Sequence, residues 1–164
     1  MTSTMQSGEA TSGADAQRLH HIGLTVSDLE ESLRFWEQLF GVTVNSRRLL
    51  DQPHIGSIVG HPGVAIDAAW IDVPGSDAVL ELVHYLNRDG TPVDDDTIHQ
   101  GNVHFCMEVE DMDAIWERAV ALGARPVSDV PVEVPAGPAK GARIVYMRTI
   151  DGATIEFIQP PPGS

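Results

Sequence analysis

The feature that most constrains this chain is an internal repeat. His21 opens the run HIGLTVSDLEESLRFWEQLFG, and His104 opens HFCMEVEDMDAIWERAVALG. Each run begins with alternating apolar residues, passes through a turn carrying Asp, and continues with large apolar residues at helical spacing before Gly. Each is followed by an apolar strand-like segment with one Glu inside it: VLELV with Glu81, 60 residues after His21, and TIEFI with Glu156, 52 residues after His104. A unit of this size cannot bury its apolar face alone, so two copies are expected to pack around one core.

The repeat sets the organisation. A first βαβββ module is expected over residues 19–85, a polar and acidic linker over 86–101, and a second module over 102–160. The class is α+β: two paired modules forming a curved, cup-like mixed sheet with helices on its outer face. In the first module Ser27 is expected to cap the helix, with Glu30 at the capping-box position. Leu29, Leu33, Trp36 and Phe40 form its apolar stripe, and Gly41 ends it. Strands are expected at 42–50, 64–73 and 78–85, with the Gly, Pro and His-rich stretch DQPHIGSIVGHPG as a loop between the first two. In the second module the expected order is a strand at 102–109, a helix at 112–122, and strands near 125–134, 142–149 and 153–159.

Strand alternation sorts the chemistry-bearing side chains. Ile22, Leu24 and Val26 suit the helix-packed face, which turns His21, Gly23 and Thr25 the other way. The same reasoning turns His104 and Cys106, Glu81, and Glu156 to the face away from the helices. A single strand histidine is ordinarily a hydrogen-bonded rim residue. An ionised Glu among Val79, Val83 or Ile158 is costly unless it is paired or metal-bound. Four such residues at repeat-equivalent positions therefore point to a divalent-metal site, since two imidazoles and two carboxylates suit an octahedral cation.

Composition excludes several classes. The formal net charge of −14 argues against nucleic acid and anionic membrane as partners. No apolar run reaches the roughly 20 residues of a membrane span. The single Cys106 cannot form an internal disulfide, as expected in a reducing cytoplasm. The opening run MTSTMQSGEATSGADAQR lacks the basic start and apolar core of a secretory signal and reads as a disordered tail over residues 1–18, and residues 161–164 read as a loose end.

The motifs HHIGLTVSDLEESLRFWEQLFG, AVLELVHY, GNVHFCMEVEDMDAIWERAVALGA and RTIDGATIEFIQPP together resemble the vicinal oxygen chelate superfamily, which holds glyoxalases, bleomycin-resistance proteins and extradiol dioxygenases. The resemblance spans about residues 19–160. It implies paired βαβββ modules and one metal in the cup, with His21, Glu81, His104 and Glu156 as ligands by position. His20 precedes the first ligand, but the repeat aligns His21 with His104. RTIDG departs from the Asp-Pro-Asp-Gly turn of many relatives, a change to the turn more than to the site.

The resemblance also implies the chemistry. A centre with two His, two Glu and two open positions would chelate vicinal oxygens of a small carbonyl substrate and act as a Lewis acid. Proton transfer through an enediolate or enolate would follow, as in glyoxalase I and methylmalonyl-CoA epimerase, with Glu156 or Glu81 as the proton carrier. One divalent ion is expected, Ni, Co, Zn, Mn or Fe. An Fe(II) extradiol-type dioxygenase is the alternative, and Glu81 as a fourth ligand argues against it. The third reading is a non-catalytic drug- or metabolite-binding protein, and binding-only relatives generally lack the ligands. A homodimer is expected, with the cup completed within one chain or across two. His54, His61 and His99 read as solvated loop residues, and His84 as facing away from the metal. Tyr146 is left open to either face. Arg47, Arg48, Arg143 and Arg148 are candidates for an anionic substrate group, with surface solvation as the default for all four.

Overall fold

A computed structural model describes residues 18–163. The expected disordered tail lies, apart from Arg18, outside the described residues. The element order is β1 (His21–Thr25), α1 (Leu29–Phe40), β2 (Val44–Leu50), α2 (Pro53–Val59), β3 (Ile66–Asp72), β4 (Val79–Tyr85), β5 (His104–Glu108), α3 (Met112–Ala121), β6 (Arg125–Pro126), β7 (Val132–Glu133), β8 (Arg143–Arg148) and β9 (Thr154–Gln159).

The strands make two mixed sheets that repeat one topology. The first runs β1-β4-β3-β2, and the second β5-β9-β8-β6 with β7 also on β8. In both, the strand that opens the repeat lies at an edge and pairs parallel with the last strand: β1 with β4, and β5 with β9. The α+β class and the paired repeat therefore stand as read from the sequence.

One core joins the repeats. Leu29, Leu33, Trp36 and Leu39 of α1 are buried with Ile71, Leu80 and Leu82 of the first sheet. The same cluster contains Met112 and Ala119 of α3 and Val145, Met147, Ile155 and Phe157 of the second sheet. Trp36, fully buried, lies 5.8 Å from the Phe105 ring across the junction. The apolar stripes thus bury against the helix-packed faces, leaving the opposite faces for chemistry.

Four local expectations are corrected. Asp28, not Ser27, caps α1: it has extended backbone (φ −141°) and its carboxylate accepts from the Glu31 backbone N–H at 3.0 Å. That bond, first among its causes, lowers the Asp28 pKa. The stretch read as a loop contains α2, opened by Pro53 at a position needing no N–H donor and closed by Gly60 in the left-handed region. Ile55 and Val59 of α2 pack with Val64, Ile66 and Ala68, on the sheet face opposite α1. The single strand expected near 125–134 is two short pieces, because Pro126 and Pro131 supply no N–H to a ladder. Val103, inside the strand expected at 102–109, is 78% exposed and lies just before β5 begins.

Candidate metal centre

Strand register builds the site in two halves. In the first sheet Gly23 stands opposite Glu81, and Glu81 opposite Trp70. In the second, Cys106 stands opposite Glu156, and Glu156 opposite Tyr146. His21 lies two residues before Gly23, and His104 two before Cys106, so each histidine shares a face with its glutamate. The equivalence is row for row: His21 with His104, Gly23 with Cys106, Glu81 with Glu156, Trp70 with Tyr146.

Both pairs meet. His21 Nε2 is 3.3 Å from Glu81 Oε2, and His104 Nε2 is 3.1 Å from Glu156 Oε2. The carboxylates are mostly covered, with side chains 18% and 15% exposed, whereas the imidazoles are 43% and 38% exposed. Two ligand atoms each about 2.1 Å from one cation at right angles lie about 3.0 Å apart, so both separations fit neighbouring corners of one coordination shell. Their face and donor chemistry fit a divalent cation too, with two neutral nitrogens and two anionic oxygens balancing a 2+ charge.

A flanking residue orients the first histidine. His20 Nδ1 lies 2.8 Å from His21 Nδ1, which holds the second nitrogen of His21 and leaves Nε2 facing Glu81. His20 thus sits behind the first pair. In the second half the Tyr146 hydroxyl lies 3.1 Å from His104 Nε2, with the rings 4.8 Å apart. Desolvation and then the Glu156 charge raise the Tyr146 pKa, so the hydroxyl keeps its proton at neutral pH. Cys106 retains some open surface, yet desolvation followed by the Glu156 charge pushes its thiol up to about 11. It is an unreactive neighbour, not a nucleophile.

The remaining candidates disperse. His99 is exposed in the linker beside Asp94 at 3.2 Å, and His61 packs edge-on against Tyr85. His84 stands opposite Asp67, on the face that carries α1, away from Glu81 as expected. Arg47 reaches the same face and binds Glu30 and Asp67 at 2.6 and 2.7 Å. Arg143 is paired with Asp113. Arg148 is buried against Thr154 and lies 3.7 Å from Asp95. Arg48 alone of the four lies on the Glu81 face, with its guanidinium 6.0 Å from the centre of the Trp70 ring. Sequence reasoning missed Trp70 and left the face of Tyr146 open; the register now sets Tyr146 opposite Glu156.

Within one chain the two halves remain two pairs. No group of three or more His, Cys, Asp or Glu side chains converges among the described residues. No helix among them is long and apolar enough to cross a membrane.

The family model described as glyoxalase/bleomycin resistance protein/dioxygenase superfamily matches residues 20–146. The chain belongs to this superfamily. Among its relatives, a lactoylglutathione lyase from Pseudomonas putida is 28% identical over 87% of this chain and 85% of its own length. A 2-epi-5-epi-valiolone epimerase from Actinomyces sp. is 29% identical, with 96% and 86% covered. A glyoxalase family protein from Bacillus cereus has the same fold, with a TM-score of 0.77 at 20% identity over 93% of this chain and 99% of that one. The superfamily match covers β1 through most of β8 and thus contains three of the four His and Glu positions; Glu156 lies beyond it and is placed by the repeat.

Proposed function

We propose that this protein is a divalent-metal-dependent enzyme of the glyoxalase type, an isomerase, epimerase or lyase that moves a proton next to the carbonyl of a small vicinal-oxygen substrate. The observation that carries this is the repeated His–Glu pair, Nε2 facing carboxylate at 3.3 and 3.1 Å on equivalent strands. His21, Glu81, His104 and Glu156 would hold the cation. Bound there, a divalent ion would supply Lewis acidity to a chelated carbonyl and so acidify the adjacent C–H.

The protein's own residues would do the rest. Glu81 and Glu156, the mostly covered carboxylates of the pairs, would carry the proton. The Tyr146 hydroxyl, protonated at neutral pH, can donate to an oxygen placed beside His104. Trp70, Val83 and the side chains of α2 give the first sheet an apolar floor that limits water. Two of the relatives, the lactoylglutathione lyase and the 2-epi-5-epi-valiolone epimerase, favour proton transfer over oxygen chemistry. So does Glu81, which lies 3.3 Å from His21 Nε2 and as a fourth ligand would close the open face a dioxygenase requires. Retention of both pairs favours an enzyme over a binding-only protein.

A second copy of the chain would complete the centre. β1 and β5, the strands that carry His21 and His104, are both edge strands. A twofold dimer that sets β1 of one protomer against β5 of its partner joins unlike half-sites and makes two equivalent centres.

Elemental analysis of protein purified without chelator tests the reading against the Glu81→Gln/Glu156→Gln variant. About one Ni, Co, Zn, Mn or Fe per wild-type chain, lost in the variant, is expected for a four-ligand centre. Absence of metal from the wild type, before and after incubation with these ions, would refute it.

A further inference from the structure

We infer that Arg48 and Trp70 form an oxyanion subsite beside the metal pair, and that the substrate therefore carries a carboxylate or phosphate in addition to its vicinal oxygens. The inference rests on the metal-centre reading above and names the class of molecule that centre takes.

The placement follows from register. Gly23, Glu81, Trp70 and Ser46 form one row across the first sheet, and Thr25, Val83, Ala68 and Arg48 form the next. Residues two apart on a strand share a face, so Arg48 projects from the same face as Glu81 and His21. Its guanidinium lies over the Trp70 ring, and Trp70 is the cross-strand neighbour of Glu81. One indole thus separates the cation from the metal-binding carboxylate. No hydrogen bond from a described residue takes up its N–H groups, which remain available to an acceptor from outside the chain.

The charge pattern makes this arginine distinct. The chain has only ten Lys and Arg against 24 Asp and Glu. Arg47, its sequence neighbour, is saturated by Glu30 and Asp67 on the opposite face. Arg148, on the corresponding face of the second sheet, is buried on Thr154 and Asp95. No ion pair joins Arg48 to any described residue, although acidic side chains outnumber basic ones more than twofold. A guanidinium held on an aromatic ring, unpaired, on the site face of an acidic protein is arranged for an anion from outside the chain.

The test uses the full chain loaded with Co(II) and two chelators with the same vicinal-oxygen head, acetohydroxamate and its carboxylated homologue succinomonohydroxamate, titrated by the visible Co(II) spectrum. Wild type is expected to bind the carboxylated chelator roughly ten-fold or more tightly than acetohydroxamate, as a charge-assisted bond requires. Arg48→Gln should abolish that preference and leave acetohydroxamate affinity unchanged, and Arg48→Lys should retain part of it. Equal affinity of wild type for both chelators would overturn the subsite while leaving the metal centre intact. So would an Arg48→Gln variant that weakens both chelators alike, which would mark a structural role. If Co(II) does not bind, or neither chelator alters its spectrum, the metal reading falls and the subsite with it.

Discussion

Replacing Gly56 by Ala pits two opposed effects against each other, and the structure decides between them. Gly56 is buried in the middle of α2. On propensity alone, Ala in place of a helical Gly stabilises by about 1 kcal/mol. The added Cβ, however, would lie 2.8 Å from the His61 carbonyl oxygen, 3.0 Å from Pro62 Cα and 3.2 Å from the Gly63 nitrogen. All three are backbone atoms of the turn that leads α2 into β3. That turn is tied down: His61 N–H donates to Gly56 O at 2.9 Å, Arg88 to Pro62 O at 2.8 Å, and Asn87 to Gly63 O at 2.9 Å. Retreat by the turn strains or breaks two or three such bonds, each worth about 1 kcal/mol net. The net expectation for Gly56→Ala is a loss of about 1–2 kcal/mol, which in a chain of this size lowers Tm by roughly 2–8 °C. Urea and thermal unfolding measure it, with Gly90→Ala, where nothing lies within 4 Å of the new Cβ, as the control. A Gly56→Ala protein as stable as wild type, or more so, would refute the packing of α2 against its own turn.

Asp151 and Cys106 give two further expectations. Burial raises the Asp151 pKa above its ordinary 3.8, while its bond from Ser32 Oγ at 2.7 Å opposes the shift. A carboxyl whose pKa is raised on folding binds more protons folded than unfolded, so its contribution to stability falls as pH rises through and above the ordinary carboxylate value. Asn can still accept from Ser32, so the stability of Asp151→Asn relative to wild type should improve from pH 4 to pH 7, read by paired unfolding curves; a constant or shrinking difference would contradict it. A thiol at about 11 holds roughly a hundredth of the thiolate of an ordinary cysteine at pH 8, so iodoacetamide should alkylate Cys106 correspondingly slowly. Glu156→Gln removes a charge that raises this pKa, and should speed the alkylation; an unchanged rate would show that Glu156 does not act on the thiol.

Much of this architecture was legible in the sequence because the repeat states it twice. Alternation from His21 and His104 assigns the face of each strand, and the stripes of α1 and α3 say what packs behind. The faces of Glu81 and Glu156 follow from the same alternation. α2 was not legible, because its seven residues contain Gly and Pro and draw their stability from Ile55 and Val59 packing on the sheet, not from propensity. Trp70 was hidden, and the face of Tyr146 left open, for another reason. The hairpins that bring them to the glutamates differ in length by one residue, 70 to 81 against 146 to 156, so spacing alone does not align them. Arg47 and Arg48 looked alike as neighbours, and only register separated the saturated one from the unpaired one. The separation of the two His–Glu pairs in one chain lies beyond periodicity altogether. Alternation tells which residues share a face, not whether two sheets bring those faces together.

If unlike half-sites from two protomers make each metal centre, complementation between two inactive chains will reveal it. His21→Ala/Glu81→Gln removes the first half-site, and His104→Ala/Glu156→Gln removes the second. Each variant alone should purify without metal. Co-expressed with different tags and isolated as the mixed dimer, they should regain about one metal per dimer against about two in wild type, because one centre is rebuilt from the two intact halves. A mixed dimer that forms but holds no metal would exclude a centre shared between protomers.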